Sequence, residues 1–188
     1  MPSVDPIATA DLVARAARGD ESAWRGLVER HSGRVFGFVR SQCGDPDLAE
    51  EITQSAFATV AAKLTEYVEQ GAFESWLFRI AMNRLRDEMR RRKRHAVAVE
   101  GGVLADLASR PEPASRGVEP AVRSALAEAI AALGEADREV ISLRHIGGMS
   151  FQQMADTLGE PLGTLLARHH RALRKLRDLL AARGIDGI

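Results

Sequence analysis

Cysteine, aromatic residues and long apolar runs are all scarce in this sequence. The single cysteine, Cys43, excludes an internal disulfide framework and a zinc site built on paired thiolates. Aromatics make up 5% of 188 residues, and no stretch alternates Val, Ile or Thr with polar residues, so the usual signs of a β-sheet are missing. No run approaches the ~18 apolar residues that a membrane span needs. The first twenty residues lack the basic start and apolar stretch of a secretory signal. Glycine-rich phosphate loops, nucleophile elbows and metal-ligand histidine spacing are also missing, so neither catalysis nor a cofactor or metal is expected. What the chain does have is Ala, Leu and Arg in quantity, with 45% hydrophobic and 28% charged residues. That balance predicts an all-α, cytoplasmic protein without membrane insertion.

An excess of one charge is missing as well, with 26 basic residues against 26 acidic. The average conceals segregation. Between Gln42 and Glu74 there are seven acids and one base, Lys63. Between Ser75 and Arg94 there are eight bases against Asp87 and Glu88. Between Pro161 and Arg183 there are six bases against Asp178. Two basic segments beside an acidic one suit two polyanion contacts and a basic protein partner.

Three prolines (Pro111, Pro113, Pro120) fall close together among glycines and serines, where no helical or strand period persists. This predicts a flexible linker over 96–118 between two small helical modules, 1–95 and 119–188. Fully extended at ~3.3 Å per residue it could reach ~80 Å, enough for roughly 20 base pairs. In the first module Trp24, Leu27, Val28, His31, Val35, Phe38, Val39 and Gln42 form one helical stripe. Leu48, Ile52, Ala56, Val60 and Leu64 line one face of the next helix, whose other face carries Asp47, Glu50, Glu51 and Gln54, with Phe57 beside them. A further helix turns Leu77, Ile80, Ala81, Leu85 and Met89 to the core and Arg79, Asn83, Arg86, Asp87 and Arg90 outward. In the second module Ser150 and Gln153 form a capping box, and a short helix, a glycine turn and a longer basic helix from Pro161 make a helix-turn-helix layout.

Each of these features has an ordinary alternative. Thr164, Arg168 and Arg171 are candidates for major-groove contacts, although a helical hairpin with a solvated Arg face has the same pattern. The basic run through Arg90, Arg91 and Lys93 suits a helix C-terminus, yet Tyr67 and Phe73 precede it in a loop, and cations near aromatic platforms suit single-stranded DNA. Phe73 and Trp76 equally fit a core, and for Trp76 the core is the favoured reading. The acidic face does not converge on a point, so a solvated surface or protein interface is expected rather than a metal or acid–base site. His31, on an apolar stripe, is expected to be a hydrogen-bonded core histidine, and Cys43 to be buried.

The segments AWRGLVERHSGRVFGFVRSQCGDPDLAEEITQSAFATV and GAFESWLFRIAMNRLRDEMRRRKR resemble region 2 of extracytoplasmic-function (group IV) sigma factors of the sigma-70 family. AIAALGEADREVISLRHIGGMSFQQMADTLGEPLGTLLARHHRALRKLRDLL resembles region 4. The resemblance implies a non-enzymatic subunit that binds core RNA polymerase, recognises −35 and −10 promoter elements and promotes strand opening. It implies that Asp47, Glu50, Glu51, Gln54 and Phe57 meet the polymerase β′ clamp and that region 4 meets the β flap. It places Tyr67, Phe73, Arg79, Asn83, Arg86, Asp87, Arg90, Arg91 and Lys93 at the −10 strand, and Thr164, Leu166, Arg168, Arg171 and Arg174 at the −35 element. An anti-sigma factor is an implied partner. Two departures stand out: Ala61 where tryptophan is usual, and the run from Gly163 to His169 (GTLLARH) where the family commonly has GTVKSRL. The alternatives are a stand-alone helix-turn-helix regulator that acts without polymerase, which has no use for the acidic face, and a metal-dependent nuclease using that face.

Overall fold

The computed structural model describes residues 6–68, 71–98 and 120–185, and among these it is all-helical. The chain order is α1 (Pro6–Ala17), α2 (Glu21–Cys43), α3 (Pro46–Lys63), a 3-10 turn (Leu64–Glu66), α4 (Phe73–Ala98), α5 (Pro120–Ala131), α6 (Glu135–His145), α7 (Phe151–Leu158) and α8 (Leu162–Ala181). Most of the 96–118 segment lies outside the described residues; only its first three positions are seen, as the end of α4.

Local chemistry sets the helix starts. Asp20 accepts from the amides of Ser22 and Ala23 and so caps α2, and the bond from the Ser22 hydroxyl, followed by those from the Ala23 amide and Arg15, holds its carboxyl below the usual range. Asp45 does the same for α3 through Asp47 and Leu48, with Pro46 opening the first turn. Gly44, at φ 73°, ends α2 in the left-handed region, which a side chain resists. Ser150 and Gln153 close a reciprocal capping box on α7.

The predicted stripe of α2 is the buried one, with Leu27, Val35, Phe38 and Val39 out of solvent. On α4 the buried set is wider than periodicity implied. Leu77, Phe78, Ala81, Met82 and Leu85 are all buried, whereas Met89, expected in the core, is 45% exposed. The reason is tertiary. α4 packs on α2 and α3 on one side and on α7 on the other.

The two modules are therefore docked, not merely tethered. One hydrophobic core runs from Val35, Phe38 and Phe78 into Val140, Leu143, Met149, Met154 and Leu165 of the second module. Close approach requires small residues. A Cβ on Gly37 of α2 would stand 2.8 Å from Ile146 Cγ2, and one on Gly147 would stand 2.7 Å from the carbonyl oxygen of Leu143 and 3.1 Å from the Phe78 ring. Polar contacts follow the same seam. The Arg34 guanidinium holds Glu74 at 2.7 Å and donates from Nε to the Gly147 carbonyl at 2.9 Å. The hydroxyls of Ser41 and Ser142 lie 2.8 Å apart. A smaller cluster of Leu133, Ile141 and Ala172 holds α8 against α6.

Candidate nucleic-acid interface

α3 and α4 lie side by side and turn their charged faces to solvent. Asp47, Glu50, Glu51 and Gln54 are exposed on α3, with the Gln54 amide donating to Glu50 at 3.1 Å. Phe57 is not on that face: it is buried and meets Trp24 edge-to-face at 6.2 Å. It supports the acidic face from beneath, because the turn of α3 that carries it points toward α2.

On α4, Asn83, Arg86, Asp87, Arg90, Arg91 and Lys93 are all exposed. Several are already engaged. Arg90 donates to Asp87 at 2.6 Å, and Arg91 and Arg92 both clasp Glu88, which pulls its carboxyl below the usual range. Arg92 also reaches Asp45, tying the end of α4 to the start of α3 at 3.1 Å. A cleft of about 370 Å³ opens where the acidic and basic faces meet, lined by Glu51, Ser55, Arg84, Asp87, Arg90 and Arg94 among others.

The aromatics expected in a loop ahead of α4 divide in two, since Phe73 opens the helix itself and only Tyr67 precedes it. Phe73 is buried against His31, whereas Tyr67 stacks on the half-buried Trp76 with ring centres 4.3 Å apart. His31 is buried as expected but not hydrogen-bonded as expected: neither ring nitrogen has a hydrogen-bond partner among the described residues, although Nδ1 stands 3.7 Å from a Glu74 carboxylate oxygen, and burial lowers its pKa to about 4.

Arg79 and Arg86 are exposed but engaged by the second module. Arg79 donates to the carbonyl of Asp156 on α7 at 2.5 Å, and Arg86 meets Glu139 on α6 at 2.8 Å. Glu139 is largely buried, and desolvation raises its carboxyl above the usual range despite the arginine.

α7, the turn at Gly159 and α8 make the helix-turn-helix. Thr164, Leu166, Arg171 and Arg174 are exposed on α8. Arg168 is not free among them: it grips Glu160 in the turn with two bonds of 2.9 and 2.7 Å. His169 sits where a leucine is usual and is held differently. Its Nε2 lies 3.0 Å from that of His145, so one ring donates its hydrogen to the other and pins α8 to α6. Desolvation lowers both pKa values.

Most of the first module's core and both of its charged faces fall within residues 27–95, which match Sigma-70 region 2. The helix-turn-helix falls within residues 129–178, which match Sigma-70 region 4. Over 96% of its length the chain is 33% identical to the ECF RNA polymerase sigma factor SigE of Mycolicibacterium smegmatis, covering 70% of that protein. The chain belongs to the extracytoplasmic-function sigma factors. RNA polymerase sigma factor CarQ of Myxococcus xanthus is 32% identical over 86% of the chain and 91% of its own length. Among solved structures, CnrH in complex with the cytosolic domain of CnrY aligns with TM-score 0.68 at 29% identity, covering 93% of this chain and 98% of that one. Sigma factors of this family are transcription initiation factors, and they bring both modules in this order. Among the described residues no group of His, Cys, Asp or Glu is placed to hold a metal, and no helix is long and apolar enough to cross a membrane.

Proposed function

We propose that this sigma factor divides its work among three exposed helix faces. The acidic face of α3 docks on the polymerase clamp, the polar and cationic stripe of α4 with the Tyr67–Trp76 stack takes the separated −10 strand, and α8 enters the major groove at −35 while region 4 also meets the β flap. In domain terms, residues 1–95 serve the core enzyme and −10, and 119–188 serve −35. It has no chemistry of its own and works in the cytoplasm on the polymerase. An anti-sigma factor is the expected regulator; the relative CnrH is solved in complex with a protein partner, the cytosolic domain of CnrY.

The observation that carries this reading is the juxtaposition of α3 and α4. An acidic surface and a basic one, held side by side by Arg84–Thr59 and Arg92–Asp45, suit a basic protein groove on one flank and a polyanion on the other. A regulator that bound only duplex DNA would gain nothing from the acidic flank. Unstacking bases costs a few kcal/mol, offset by stacking on aromatic side chains and by contacts to cations.

The docked arrangement must open for this work. Elements ~20 base pairs apart lie ~68 Å apart along a duplex, whereas here α7 touches α4 directly. Opening releases Arg79 and Arg86 for the −10 strand and lets α8 travel, and the segment 96–118 is long enough for the distance. Reconstituted transcription from a promoter library tests the whole reading. Core enzyme with this chain is expected to initiate at a defined subset of templates, and initiation nowhere would contradict it.

A further inference from the structure

Apart from Arg168, which is tied to Glu160, the first two turns of α8 carry no charged side chain, although the exposed charges further along are mostly cationic. Leu162, Gly163, Thr164, Leu166 and Ala167 are all exposed there, whereas Arg171, Arg174 and Arg177 are exposed further along. Leu162 and Leu166 are 41% and 38% exposed, among the largest exposed apolar side chains of the described residues, and they stand one helical turn apart on one side. Leu165 and Ala172, which point inward, hold the helix in place. Arg168, the nearest cation, is committed to Glu160 and half-buried, so it does not present its fork to a guanine.

In a helix-turn-helix the N-terminal residues of the second helix meet base edges, while cations further along hold phosphates. An apolar tip in that position has one complementary feature in the major groove: the C5-methyl of thymine. We propose that Leu162 and Leu166 read thymine methyl groups in the −35 element, so that this chain selects its upstream promoter bases by apolar contact rather than by arginine–guanine pairing. This rests on α8 being the −35 reader. The cations beside the pair favour DNA over an apolar protein surface as its occupant.

The test uses the chain assembled with core polymerase on a template drawn from the promoter library. Each −35 thymine is replaced in turn by deoxyuridine, which removes only the methyl. Loss of one buried methyl contact corresponds to about fourfold in promoter binding. Wild-type protein is expected to lose about that at one or more thymines, and Leu166→Ala or Leu162→Ala to abolish the sensitivity at the matching position. Both side chains are exposed, and an unchanged melting temperature checks that the variants fold. Deoxyuridine tolerated everywhere by wild type would overturn the proposal, as would sensitivity that persists in both variants. Variants that weaken assembly with core enzyme and leave base preference alone would reassign the pair to a protein contact. In all three cases the wild-type chain still directs initiation, so the sigma reading stands; a wild-type chain that directs no initiation would instead remove that reading.

Discussion

Arg86 on α4 and Glu139 on α6, 53 positions apart in the chain, meet at 2.8 Å across the seam between the two modules. The same arginine lies on the stripe proposed to hold the −10 strand, so in this closed form a carboxylate occupies it where a phosphate would sit. Glu139 stays largely out of solvent with its carboxyl pushed upward, by burial first, against the opposing pull of Arg86.

Opening is testable at Gly37, away from every proposed contact face. Gly37→Ala adds helix propensity of up to ~1 kcal/mol to α2, yet its Cβ meets the stiff Ile146 side chain. The expected outcome is a larger radius of gyration by small-angle scattering with helicity intact. Ile146→Ala in the same chain should restore the compact form. A compact Gly37→Ala protein would show that the seam yields without opening.

His31 gives the fold a pH dependence. Its neighbours are Glu74 from α4, which favours the charged ring, and Arg34 and Arg30 from α2, which oppose it, but desolvation dominates and lowers the pKa to about 4. The unfolded chain, near 6.5, binds more protons in between, so stability is complete above about 6.5 and falls as pH drops toward 4. The loss is roughly 3 kcal/mol at most. His145 and His169, also lowered by desolvation, act in the same direction. Urea unfolding at pH 7 and pH 5 should show the drop, and His31→Leu should flatten much of it.

Reversing charge on α3 should separate protein binding from DNA binding. Glu50→Lys with Glu51→Lys is expected to lower affinity for core polymerase at least tenfold in competition with another sigma factor. Melting temperature should stay unchanged, since both side chains are exposed. Wild-type competition by the double variant would remove the acidic face from the account.

Two residues of α4 should behave differently. Lys93→Ala is expected to weaken all promoters alike and reduce the salt slope by about 1. Asn83→Ala is expected to change base preference at −10 with little effect on the slope. Quantitative binding across the promoter library at two salt concentrations distinguishes them, and a uniform loss for Asn83→Ala would deny it a reading role.

The helices, caps and charged faces were legible because they are local: a capping box spans three residues and a stripe repeats every three or four. Phe57, Phe78 and Met82 were misplaced or missed because periodicity assigns one buried face per helix. The adjacent pairs Leu77–Phe78 and Ala81–Met82 were a visible sign that α4 is covered on two sides. Docking of the modules depends on Gly37 and Ile146 meeting, 109 positions apart, which no window of sequence contains. The commitment of Arg168 to Glu160 escaped for a similar reason, since eight residues and a turn separate them.

Permanganate reactivity of unpaired thymines at the −10 element measures the division of labour between α3 and α4 most directly. On a promoter taken from the library, core polymerase together with this chain should expose those thymines, and either component alone should not. Continued pairing in the presence of both, or opening by core polymerase without this chain, would contradict the account.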